Sequence, residues 1–137
     1  MHFVDTNVLR YSISTDSAET RKLATAREIL RESNFVLSMQ VVQEFLVQAT
    51  RNSQSGRLTY EQAVGLMSTW TRVPIQELTY AIVVRAMAAA QRWQTSYWDA
   101  AIIESARAAG SVTVLSEDLH DGQNFDGVRV VNPFRRV

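Results

Sequence analysis

Val112-Thr113-Val114-Leu115-Ser116-Glu117-Asp118, residues 112–118, is a compact apolar run that breaks directly into acids. The chain opens in the same way at residues 3–5, where Phe3-Val4 ends at Asp5. Runs this short and free of polar alternation suit strands covered on both faces, as in a parallel sheet between helices. Two parallel central strands would set their trailing carboxylates on one rim, where open α/β sheets bind ligands. One acid at a strand end is ordinary turn or cap chemistry. Two in the same position argue for a shared site.

Working outward, the apolar pattern changes period several times, as an alternating βα chain requires. The spacing predicts helices over 18–33, with Leu23, Ala26, Ile29 and Leu30 on one face, and from a cap at Ser38 to about 52. Thr59 caps a further helix to about 70, and two more span 77–92 and 97–109, the last stopped by Gly110. Strands are expected at 3–4, 35–37, 112–115 and 128–131, with 73–75 confined to an edge because Pro74 has no N–H to donate. The sum is an α/β fold, a three-layer α/β/α sandwich with a mostly parallel central sheet, in a single domain over 1–137.

A composition of 46% hydrophobic and 20% charged residues with only 5 Gly and 2 Pro excludes a disordered or collagen-like chain. Apolar stretches are short, 80–84 ending at Arg85, against the roughly 20 residues that cross a bilayer, so no membrane partner is expected. Met1-His2-Phe3-Val4-Asp5 lacks the basic start and apolar core of a secretory signal, which makes the cytoplasm the expected compartment. Zero cysteines exclude disulfides and thiolate catalysis, and His2 and His120 alone make no His-rich site, so any metal would be held by oxygen. Lys+Arg 14 balance Asp+Glu 14, and Lys22 is the only lysine. A nucleic-acid site would therefore be local, with no whole-protein basic field behind it.

Two further acids join the first pair. At about 100° per residue, Asp99 falls inside the arc of Trp98, Ile102, Ile103, Ala106 and Ala109, which turns its carboxylate toward the core side and reads Trp98 as core. An ionised carboxylate there needs hydrogen bonds or a cation. A capping box from Ser96 to Asp99 explains the acid but not its apolar flanks. Glu44 lies about 130° from the centre of the Val41, Val42, Phe45, Leu46 and Ala49 face, yet its helix starts where the 35–37 strand ends, near the same rim. Asp5, Glu44, Asp99 and Asp118 would repel one another, and the natural resolution is a hard divalent cation, Mg²⁺ or Mn²⁺.

In their order and spacing, Phe3-Val4-Asp5-Thr6-Asn7, Ser38 with Glu44, Ser96-Tyr97-Trp98-Asp99-Ala100 and Val114-Leu115-Ser116-Glu117-Asp118-Leu119 resemble the PIN domain, specifically the VapC-like toxins of bacterial toxin–antitoxin modules. The likeness spans almost the whole chain. It implies a Mg²⁺- or Mn²⁺-dependent endoribonuclease in which Asp5 and Asp99 bind metal, Glu44 is the third acid and Asp118 the fourth, with Asn7 and Ser116 supporting them by hydrogen bonds. Glu117 stands beside Asp118, and which of the two faces the site is open. Asp121, in Leu119-His120-Asp121-Gly122, is an auxiliary ligand or plain turn chemistry. The resemblance also implies an RNA substrate, a cognate antitoxin protein that covers the site, and a toxin homodimer.

Arg10, Arg51, Arg85 and Arg92 are candidates for phosphate contacts, and Trp93, Tyr97 and Trp98 for base stacking, against the ordinary readings of solvated surface and core. His120 is a bystander or a proton donor. The alternative function is a non-catalytic PIN-like module that binds RNA or protein, although a scaffold has no need of a mutually repelling cluster. A receiver domain shares the architecture but needs a lysine after a late strand, and Lys22 lies far upstream.

Overall fold

Phe3, Val4, Phe35, Leu37 and Val114 are completely buried, as strands covered on both faces must be. In the computed structural model, which describes residues 1–135, they belong to one six-stranded sheet. Its strands are β1 (His2–Val4), β2 (Phe35–Ser38), β3 (Ile75–Gln76), β4 (Thr113–Leu115), β5 (Asn124–Phe125) and β6 (Val128–Val131), in the spatial order β3-β2-β1-β4-β6-β5. Every pairing is parallel except the β5–β6 hairpin.

Six helices connect the strands: α1 (Thr6–Tyr11), α2 (Thr20–Arg31), α3 (Met39–Thr50), α4 (Tyr60–Ser68), α5 (Tyr80–Trp93) and α6 (Tyr97–Ala108). From β1 the chain steps outward to β2 and β3, then returns across β1 to β4. Parallel crossovers are almost always right-handed, so this reversal puts α1 to α4 on one face and α5 with α6 on the other. The packing agrees: α1 touches α2 and α3, α3 touches α4, and α5 runs along α6, which in turn lies on β2 and β4. The three-layer sandwich expected from the sequence is the fold. Its topological switch falls between β1 and β4, where a crevice opens beyond the carboxyl ends of the strands.

The caps at Ser38 and Thr59 form as expected, Ser38 Oγ accepting from the Val41 N–H at 3.2 Å and Thr59 completing a reciprocal capping box with Gln62. The third strand is at an edge as expected, but it spans Ile75–Gln76 and leaves Pro74 just outside, where only the Pro74 carbonyl joins the sheet by accepting from the Leu37 N–H at 3.0 Å. Two elements carry no periodicity long enough to read. Helix α1 is six residues, nucleated because the Asp5 carboxylate accepts from the Thr6 N–H at 2.7 Å and because Val8 and Leu9 are buried. Strand β5 is two residues, paired only with β6 and anchored by the buried Phe125, whose carbonyl accepts from Arg107 Nη2 at 2.5 Å.

The loop after α3 closes against the end of α1 at Gly56. Its φ is +78°, and a Cβ there would meet the Ile13 carbonyl oxygen at 1.9 Å. Gly56→Ala is therefore expected to cost about 2 kcal/mol or more in urea unfolding. Gly65→Ala, in α4 with open space around it, should instead gain up to about 1 kcal/mol from helix propensity.

Candidate active site

Val4 pairs with Leu115 across the β1–β4 ladder, and the Asp5 N–H continues it by donating to the Leu115 carbonyl at 3.1 Å. This register sets Asp5 beside Ser116. The completely buried Ser116 hydroxyl donates to Asp5 Oδ2 at 2.7 Å and accepts from the Asp118 N–H at 3.2 Å. Asn7 Nδ2, from the first turn of α1, faces Ser116 Oγ at 3.1 Å, Asp118 Oδ2 at 3.3 Å and Asp5 Oδ2 at 3.4 Å. Its Oδ1 accepts from the Glu117 N–H at 3.1 Å. One hydroxyl and one amide thus tie the two strand ends together.

Glu44 is held from the other side. Thr6 Oγ1 donates to its Oε2 at 2.8 Å, and Gln40 Nε2 donates to its Oε1 at 3.0 Å and to the Trp98 carbonyl at 3.3 Å. Glu44 is therefore braced by α1 and its own helix α3, and the buried Gln40 amide ties that brace to the start of α6. Ser96 caps α6 by accepting from the Asp99 N–H at 3.1 Å. The reciprocal arm of the expected capping box does not form, and among the described residues nothing donates to the Asp99 carboxylate.

Asp5, Glu44, Asp99 and Asp118 line one cavity of about 100 Å³, together with Thr6, Asn7, Arg10, Gln40 and Trp98. Asp118 takes the cavity side of its loop. Its neighbour Glu117 turns away to Lys22 Nζ at 2.6 Å and to the Tyr11 hydroxyl. Burial opposes ionisation of Glu117, but the hydrogen bonds from Lys22 and Tyr11 win and hold its carboxyl below the usual range. Asp121 accepts from the Asn132 N–H at 2.9 Å and pairs with Arg135, tying the segment after β6 to the turn, and it does not line the cavity.

Three placements differ from the sequence reading. Trp98 is 66% exposed, not core, because the first turn of α6 looks across the cavity where later turns look onto the sheet. Arg85, Arg92 and Trp93 line a separate cavity of about 270 Å³ that shares no lining residue with the cavity of Asp5, Glu44, Asp99 and Asp118, and Arg92 there pairs with Asp126 at 3.4 Å. Thr6 and Gln40, which hold the two oxygens of Glu44, carry no role in the sequence reading. Gln40 stands four residues before Glu44, the spacing at which helix side chains meet, and that is the signal that would have found it. Arg10 lines the acid cavity, Arg51 lines a groove along α3 next to Glu44, Tyr97 packs on Ala86, Ala100 and Ala101, and His120 is exposed.

Burial, with Asp118 and Glu44 nearby, pushes the Asp5 carboxyl up from 3.8 to about 6, against the pull of Ser116 and the Thr6 N–H. The donors are hard oxygens, and a buried carboxylate that resists ionising alone is one a cation would stabilise. No three acids stand close enough to share an ion directly among the described residues. Mg²⁺ ordinarily takes one or two carboxylates and keeps several waters, so the donor set fits such an ion with the other acids reached through water.

These electrostatics have a sign that can be tested without metal. The folded state keeps the Asp5 proton to about 6 where the unfolded chain releases it near 3.8, so this group's contribution to stability falls as pH rises through that interval. In urea titrations with EDTA, Asp5→Asn should gain on the parent from pH 4 to 6 and be about 2 kcal/mol more stable at pH 7. Ser116→Ala strips a buried hydrogen bond from Asp5 and from the Asp118 N–H, and should lose about 1–3 kcal/mol.

No curated protein matches the chain. Among solved structures it is similar to a toxin–antitoxin complex from Klebsiella pneumoniae, at 20% identity and a TM-score of 0.69 over 98% of each chain. It is likewise similar to Mycobacterium tuberculosis VapC20, described as a sarcin–ricin loop cleaving toxin, at 18% identity and a TM-score of 0.67 over 86% of this chain and 92% of that one. FitAcB from Neisseria gonorrhoeae follows at 18% identity, a TM-score of 0.61, and 98% and 99% coverage. At these identities the likeness shows a shared VapC-type fold. The PIN domain model matches residues 2–121, a span that takes in both strand ends and all four acids of the cavity, and the chain belongs to the PIN domain family.

Proposed function

We propose that this protein is a Mg²⁺- or Mn²⁺-dependent endoribonuclease that hydrolyses RNA phosphodiesters, acting from a single domain as the toxin of a toxin–antitoxin module. The observation that carries this reading is the convergence of four carboxylates from four separate segments on one cavity at the switch point of the sheet. Hydrogen bonding within the fold accounts for Asp5, Glu44 and Asp118, but leaves the Asp99 carboxylate facing the cavity with no donor among the described residues.

Asp5 and Asp99 would hold the ion. Ser116 and Asn7 keep Asp5 and Asp118 in register, while Thr6 and Gln40 fix both oxygens of Glu44, so the acids meet the substrate already oriented. When bound, the divalent cation supplies a water of lowered pKa and a charge opposite to that gathering on the phosphate and leaving oxygen. Glu44 and Asp118 would complete the shell, bind a weaker second ion or orient the attacking water. Arg10 lines the same cavity, which supports it as a contact for a phosphate oxygen.

The similar structures include toxin–antitoxin complexes, which supports a cognate antitoxin as partner; a toxin homodimer is proposed on the family resemblance alone. An acidic cavity suits a basic peptide as its inhibitor. Among the described residues no helix is long and apolar enough to cross a membrane; the cytoplasm is proposed as the site of action from the family resemblance.

Purified protein is expected to cut a labelled single-stranded RNA pool in Mg²⁺ or Mn²⁺. Cutting should vanish in EDTA and fall at least 100-fold in Asp5→Asn and Asp99→Asn. Because water is the nucleophile, product ends should be 5′-phosphate and 3′-hydroxyl; 2′,3′-cyclic phosphate would contradict the mechanism. Saturating Mn²⁺ should raise the melting temperature of the parent but not of Asp99→Asn. RNA binding without cutting by any form would favour the non-catalytic module.

A further inference from the structure

The largest exposed aromatic side chain on the acid cavity is Trp98, the residue immediately before Asp99. Its indole is braced. Tyr97 meets it edge-on, with ring centroids 5.1 Å apart and planes at 79°. Its backbone carbonyl accepts from Gln40 Nε2 at 3.3 Å, and the same nitrogen donates to Glu44 at 3.0 Å. One buried amide thus fixes the base of the tryptophan relative to an acid of the site.

A cavity lined by four acids in a chain of zero net charge is a poor attractor for a polyanion. Arg10 offers one cation there, but it lies 3.8 Å from Glu19. Arg51 stands in the adjoining groove, which shares Glu44 and Gln48 with the acid cavity. Attraction that does not depend on charge has to come from another source, and an indole face in water at the cavity mouth is such a source. Nucleobases stack on tryptophan with little regard to sequence, and a base can do so only if it is free of its duplex neighbours.

We propose that Trp98 is a stacking platform for one unpaired nucleobase of the substrate strand beside the cleaved phosphate, and that it supplies a charge-independent share of substrate binding at the acid site. The inference rests on the nuclease reading and names the substrate contact which that reading leaves open.

The test uses the full chain with Asp5→Asn to prevent cutting, a random 12-mer RNA pool as probe, and Mg²⁺ present. Trp70 is buried and Trp93 half-buried against Phe125, so Trp98 should dominate any change in tryptophan emission. Binding is expected to quench that emission. Adding Trp98→Ala should remove the quench and weaken binding about tenfold or more, while Trp98→Phe should stay within about threefold. With Asp5 intact, Trp98→Ala should raise KM for single strands by a similar factor, and the duplex form of a cut sequence should be a poor substrate for the parent. Equal affinity for the Trp98→Ala form, while the parent still cuts RNA, overturns the stacking role alone. A parent that cuts no RNA overturns the nuclease reading and the platform with it.

Discussion

Asp5 sits at the end of the central strand β1, where neighbours on every side remove its water, and the architecture of the site is an answer to that position. A carboxylate so placed must be neutral, hydrogen-bonded or paired with a cation. The fold supplies the second in part: Ser116 and the Thr6 N–H both donate to it. It also withholds full relief, because Asp118 and Glu44 stand near enough to raise its pKa further. The balance leaves an acid whose remaining stabilisation depends on what enters the cavity. The same bond from Thr6 starts α1, and α1 brings in Asn7 and Arg10, so local helix formation and site assembly are one event.

Chain reversal at β1 explains why these acids meet although they lie far apart in sequence. Because β2 and β4 flank β1 and all three run parallel, three successive loops open on the same edge. Asp5 follows β1, the 116–118 loop follows β4, and α3 starts directly after β2 to bring Glu44 over the edge. Asp99 arrives from the opposite layer, in the first turn of α6, and Gln40 bridges the layers at that point. The crossover rule thus does for the acids what no local sequence signal could.

Legibility in the sequence follows the same physics. Strands buried on both faces announce themselves, and 112–118 and 3–5 led to the parallel sheet and to the acids at its edge. The long helices were readable by period and cap. Helix α1 was not, since six residues beginning Thr6-Asn7 show no apolar period and the helix exists through its cap and its burial. A helical wheel also predicts direction without saying what lies opposite: Ile102 and Ile103 meet the core, but Trp98 on the same arc meets the cavity. For Asp99 that error was harmless, because the side of the helix was right and only its surroundings differed.

The choice between Glu117 and Asp118 could not be read locally, because adjacent acids in a loop are equivalent until something distant selects one. Lys22 makes the selection from α2, with Tyr11 from the end of α1 completing the contact. The lysine also lies over the Tyr11 ring at 4.9 Å, and that ring packs edge-on against Phe134 at 4.9 Å. A single half-buried ion pair of this kind contributes modestly to stability by itself. Its effect here is directional: by satisfying Glu117 away from the cavity, it leaves Asp118 as the acid that Asn7 can reach. The single lysine therefore serves the site without touching it, fixing which of two neighbouring carboxylates the cavity receives.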